Sequence, residues 1–87
     1  MRAEFPEFST VRIRRLLPGD HHVSSSFSPP CVPHEGEVGA VVDVDGLSIG
    51  VECVDATGFT RWFAYFAPEE LELVATPPLR APDSYST

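Results

Sequence analysis

The stretch that most constrains this chain is Glu37 to Phe66, where two turn signals, Asp45-Gly46 and Asp55-Ala56-Thr57-Gly58, separate three β-rich runs. Val38, Ala40, Val42 and Val44 recur at period two in the first run. Leu47, Ile49, Val51 and Cys53 do so in the second, with Ser48, Gly50, Glu52 and Val54 between them. Alternation of this kind marks strands that bury one face. Asp-Gly between two such runs closes a hairpin, because Gly46 enters the φ > 0 region with no Cβ to clash. The third run, Thr60 to Phe66, holds Trp62, Phe63, Tyr65 and Phe66. The expectation is a three-stranded antiparallel meander that supplies most of the core.

The rest of the chain is arranged around that meander. Thr10 to Leu17 reads as a first strand, with Val11 and Ile13 on one side and Arg12 and Arg14 on the other, and Pro18-Gly19-Asp20 ends it. After Phe66, Ala67-Pro68-Glu69-Glu70 suits a single helical or 3-10 turn, with proline at its start and acids in its first turn. Leu71 to Ala75 is the last strand. Strands are therefore expected over 10–17, 37–45, 47–55, 60–66 and 71–75, with Val11, Ile13, Val42, Val51 and Leu71 buried. Residues 1–8 form an arm whose Phe5 and Phe8 are available to cover one end of the barrel, and residues 9–75 are the folded domain. Residues 18–36 are a Ser- and Pro-rich loop, long enough to be either functional or disordered. Val23, Phe27 and Val32 make it too apolar for a pure linker. Residues 76–87 carry three prolines and no period, and are read as a flexible Pro-rich tail. At 87 residues the chain is one domain near the lower limit of independent stability.

This order of strands, long loop, two tight hairpins and a turn resembles the SH3-like small barrel, over about residues 9–75. Val11-Arg12-Ile13, Gly36-Glu37-Val38-Gly39-Ala40-Val41-Val42 and Phe66-Ala67-Pro68-Glu69-Glu70-Leu71-Glu72-Leu73-Val74 are similar to segments of photosystem I subunit IV and of the nitrile hydratase β-chain barrel. A closer resemblance is to a bacterial family of small proteins. Its pattern is a leading Val-x-Leu/Ile strand, Gly-x-x-Gly-x-Val-Val-x-Val, a Val-Glu-Phe/Cys-x-Asp-x-x-Gly hairpin and a closing Pro-x-x-x-Leu-x-x-Val. Here these are Val11 to Ile13, Gly36 to Val44, Val51 to Gly58 and Pro68 to Val74. The first loop departs from that pattern in being longer and richer in His and Pro. The resemblance implies an all-β, five-stranded SH3-like small barrel with a long first loop and one 3-10 turn before the last strand. Members of the family resemble toxin-antitoxin or toxin-immunity partners in size and character.

Charge sharpens the functional reading. The net charge is −7, and residues 37–75 carry eight acids against Arg61 alone. Such a surface repels phosphate backbones, which argues against nucleic acid and for a basic protein partner. No run approaches the ~18 apolar residues of a membrane span, and the first residues lack a signal peptide's apolar stretch. A cytoplasmic protein with no membrane partner is expected.

His21, His22, Cys31 and His34 are borderline-soft ligand types, but His-His-x-x-x-x-x-x-x-x-Cys-x-x-His matches no usual zinc spacing. No metal and no cofactor are expected. Cys31 with His34 lacks a third group to orient it as a nucleophile and base, so no catalytic residue is assigned and the protein is read as a non-enzyme. Cys53 falls on the inward set of its strand as a small core residue. Asp43, Asp45, Glu69 and Glu70 sit at turns, where exposure is the default, and Asp55 is placed to bond the amides of its own turn. Trp62 and Phe66 share one side of their strand, Phe63 and Tyr65 the other. One set must lie outside the barrel, either covered by the arm or loop or free as interface anchors. The expected function is a protein-binding module, an immunity protein or antitoxin that occludes a basic toxin or enzyme surface through Glu52, Asp55, Trp62, Phe63, Tyr65, Glu69 and Glu70. The alternative is a structural accessory subunit or domain of a larger enzyme complex.

Overall fold

The computed structural model describes residues 5–76. Five strands follow one another along the chain: β1 (Thr10–Ile13), β2 (Val38–Asp45), β3 (Ser48–Val54), β4 (Thr60–Phe66) and β5 (Leu71–Ala75). A 3-10 turn at Pro68–Glu70 immediately precedes β5. The strands form one antiparallel sheet in the order β4-β3-β2-β1-β5. This is the five-stranded, all-β small barrel of SH3-like topology, with its long loop between β1 and β2. The tight hairpin falls at the Asp-Gly signal: Asp45 pairs with Ser48, and Gly46 takes φ 62°. Leu47, in phase with Ile49, lies in that turn and is exposed. Residues 1–4 of the arm and residues 77–87 of the tail lie outside the described residues.

The core consists of Val11, Ile13, Val41, Ile49, Val51, Cys53, Trp62, Ala64, Phe66 and Leu71, with Phe5 of the arm against them. Phe8 does not join it. Its backbone turns to φ 70°, its amide donates to Val41 O, and its ring is exposed. Of the five residues expected inside, Val11, Ile13, Val51 and Leu71 are buried and Val42 is only half-buried. The reason is a bulge. Val41 opposes Val51 while Asp43 opposes Gly50, so Val42 is an extra residue on β2. The phase changes there, and Val38 to Val44 do not share one face: Val41 is fully buried, whereas Val38 and Val44 are exposed. Gly39 marks the tightest crossing, since a Cβ there would lie 2.7 Å from both Glu52 O and Val51 Cγ1. A glycine and a bulge so close together give β2 the bend that a small barrel requires.

The first strand is shorter than the expected 10–17. After Ile13 the amides of Arg14 and Arg15 both turn to Glu70 O, at 2.8 and 3.4 Å, which draws the chain off the sheet. The loop that follows is not a free excursion. Ser24 and Phe63 exchange both backbone hydrogen bonds, Tyr65 N donates to His21 O, and Ser26 N donates to Thr60 O. The loop thereby covers the outer edge of β4, which would otherwise present unpaired amides and carbonyls. Val23, Phe27 and Val32 remain exposed. The attachment is made by backbone groups, by Ser25, by His21 against Glu70 and by Cys31 against the core, and Pro33 is buried as well. Among the described residues no helix is long and apolar enough to cross a membrane.

Candidate protein-binding face

Alternation along β4 divides its aromatics. Trp62, Ala64 and Phe66 point into the barrel and are buried, whereas Phe63 and Tyr65 stand half-buried on the outer face. The outer pair is seated on Gly50, which lies between Asp43 of β2 and Tyr65 of β4. A Cβ at Gly50 would come within 3.1 Å of Phe63 Cζ and 3.2 Å of Tyr65 Cε2, so the rings occupy the space a side chain would take. They meet edge to face with centroids 5.1 Å apart, a favoured aromatic geometry. Tyr65 Oη donates to Asp43 Oδ2 at 3.0 Å. That bond, then burial and the charges of Asp43 and Asp45, push the phenol above its ordinary pKa, so Tyr65 stays a donor. Glu52 lies across from Phe63 and accepts from Thr60 Oγ1 at 2.5 Å. The outer face of β2, β3 and β4 thus presents two fixed aromatic rings framed by the carboxylates of Asp43, Asp45 and Glu52.

The arginine of β4 does not neutralise this face. Cys53 opposes Trp62 and Val54 opposes Thr60, leaving Arg61 as a bulge residue. Its side chain turns to Glu37, donating to Oε2 at 2.8 Å. Glu37 Oε1 also accepts the Trp62 indole N–H at 3.0 Å and the His34 amide at 2.9 Å. Burial alone would raise the Glu37 pKa. The bonds from His34, Arg61 and Trp62, with the charge of Arg61, outweigh it and hold the carboxyl below its ordinary value.

The seven residues expected to meet a partner therefore divide. Phe63, Tyr65 and Glu52 come together on the outer face. Glu69 is exposed at the 3-10 turn. Asp55 organises its hairpin, with Oδ1 accepting from Thr57 N, Thr57 Oγ1 and Phe59 N at 2.9, 2.7 and 3.0 Å. Trp62 and Glu70 are corrections. Trp62 is fully buried, packed edge-on against Phe66 and bonded to Glu37, so it is a core residue and not a contact surface. Glu70, expected to be exposed, is 2% exposed. One of its oxygens accepts the Ala67 amide at 2.8 Å, and the other takes the Leu17 amide at 2.7 Å and meets His21 Nε2 at 2.6 Å. Its work is internal: it fastens the start of the long loop to the turn before β5. A pocket of about 270 Å³ lies beside this pair, between the Pro18-Gly19-Asp20 bend, Leu47, Ser48 and Tyr65.

The histidines part company. His21 goes to Glu70, while His22 Nδ1 lies 3.6 Å from Asp20 and His34 Nδ1 lies 3.8 Å from Glu37. Among the described residues no three His, Cys, Asp or Glu side chains are arranged to hold a metal ion. Sequence reasoning missed Asp43 and Asp45 as part of the face, Gly50 as its seat and Glu37 as the internal hub. The available signal was Gly50 itself, a glycine inside a strand, which marks a close approach. Comparison of the chain with family models, with curated proteins and with solved structures finds no match.

Proposed function

We propose that this protein is a non-catalytic binding module that occludes a basic surface of a partner protein, as an immunity protein or antitoxin does. The observation that carries this reading is the pair Phe63 and Tyr65, seated over Gly50 and framed by Asp43, Asp45 and Glu52. Rings already fixed by packing and by the bond to Asp43 lose little conformational freedom on binding, which favours their use as anchors. The surrounding carboxylates steer a cationic surface toward them and repel phosphate backbones. Occlusion needs no chemistry from the module, only a rigid face, and the β3–β4 pairing supplies it.

The test is a titration of isotopically labelled protein with a purified basic protein toxin, followed by amide chemical shifts. Shifts concentrated at Asp43, Gly50, Glu52, Phe63 and Tyr65 are expected. Shifts confined to residues 18–36 with this face undisturbed would overturn the reading and move the interface to the long loop.

A further inference from the structure

Cys31 and Cys53 are far apart in sequence and meet around one side chain. Cys53 opposes Trp62 across the β3–β4 pairing, next to the Arg61 bulge. Cys31, in the long loop, is brought to the same place by Ser25. The Ser25 hydroxyl donates to Arg61 O at 2.6 Å and accepts the Cys31 amide at 3.1 Å, so the backbones of residues 31 and 61 share one bridge. Cys31 packs against the core cluster that includes Cys53. The Arg61 guanidinium, held by Glu37, lies 4.0 Å from Cys53 Sγ, and Cys31 lies close enough to act on both groups. Both cysteines are free. Core packing accounts for the buried position of Cys53, but not for a second free thiol brought to the same arginine.

We propose that Cys31 and Cys53 are a redox-modifiable pair, in which a peroxide oxidises Cys31 and Cys53 resolves the product into an intramolecular disulfide. The roles follow from position. Cys31 is the more accessible thiol, whereas Cys53 is 7% exposed. Burial, then the charge of Glu37, push the Cys53 thiol above its ordinary pKa, which disfavours it as the first nucleophile. In the first step the Cys31 sulfur bonds to one peroxide oxygen and the O–O bond breaks. The departing hydroxide takes the thiol's proton and leaves as water, with a sulfenic acid on Cys31. In the second step the Cys53 sulfur attacks the sulfenic sulfur, the S–O bond breaks, and that hydroxide takes the Cys53 proton as a second water. The two thiols together lose two electrons and the peroxide gains them. The product ties the long loop to β3 and holds it over the edge of β4.

The experiment treats the full reduced chain with hydrogen peroxide. The expected product is a monomer lighter by about 2 Da with both thiols lost, a Cys31–Cys53 cross-link on peptide mapping, and full recovery on adding dithiothreitol. In Cys53→Ser the sulfenic acid has no resolving partner, so a dimedone adduct on Cys31 is expected that the wild type lacks. The proposal is overturned if wild-type Cys31 accumulates as sulfenic or sulfinic acid with Cys53 still free. Cross-links only between chains, or both thiols surviving the treatment, overturn it equally. The wild-type mass decides the matter even if Cys53→Ser does not fold.

Discussion

Glu37 shows how much one side chain of this domain carries. It joins the loop before β2 to the bulge and the indole of β4 through three hydrogen bonds. Its carboxyl is held below its ordinary value of 4.5 in the fold. A group depressed on folding contributes stability that is present above the unfolded pKa and lost as pH falls through the folded one. Denaturation by urea at a series of pH values should show Glu37→Gln less stable at pH 7 by about 1–3 kcal/mol, the range for stranding buried donors. That gap should narrow steadily below pH 4.5. A gap independent of pH would mean that the charge of Glu37 contributes nothing. Ser9 is the opposite case. It is fully buried, and its hydroxyl has no hydrogen-bond partner among the described residues. Ser9→Ala should be neutral or slightly stabilising in the same assay, because it removes an unsatisfied polar group. A loss above about 1 kcal/mol would point to a partner for that hydroxyl.

At the scale of the element, β2 is where pattern and structure separate, and adjacent valines test why. Val41→Ala should cost about 2–3 kcal/mol by thermal or chemical denaturation, whereas Val42→Ala, at the bulge and half-buried, should cost less than about 1 kcal/mol. The reverse order would restore the unbulged register. Gly39→Ala should destabilise by about 1–3 kcal/mol, since its Cβ would meet the Glu52 carbonyl, which cannot swing aside as a side chain does. The remaining elements were legible because each rests on local chemistry. Asp45-Gly46 sets a turn, alternation sets β3 and the inward face of β4, and Pro68 starts the 3-10 turn. The bulges were not legible, because each follows from the closure of the barrel and not from the neighbours of Val42 or Arg61. Glu70 was misplaced for a related reason. A carboxylate at a turn reads as exposed until Leu17, Ala67 and His21, two of them distant in sequence, converge on it. The outer aromatics were half legible: period two assigns Phe63 and Tyr65 to one side, but their seat on Gly50 depends on the register of three strands.

For the whole molecule, charge and shape point at the same side of the barrel. The acids of residues 37–75 outnumber Arg61, and Arg61 is turned to Glu37, so the outer face keeps its negative potential. If that face is the interface, two kinds of substitution act on different rate constants. Glu52→Lys with Asp45→Lys should slow association with the basic partner and flatten its dependence on salt, because exposed charges act chiefly through long-range steering. Phe63→Ala should leave association nearly unchanged and speed dissociation, costing about 2 kcal/mol or more as a lost anchor does. Tyr65→Phe separates the ring from its hydroxyl: it keeps the stack on Phe63 and the seat on Gly50 but loses the bond to Asp43. Its dissociation rate should fall between those of the wild type and Phe63→Ala, since a ring without that bond is less firmly placed before contact. Surface kinetics at low and moderate salt, with the melting temperature of each variant measured alongside, separate these effects from simple loss of fold. A folded Phe63→Ala protein that releases its partner at the wild-type rate would falsify the aromatic anchor, and the acids of this face would then account for solubility alone.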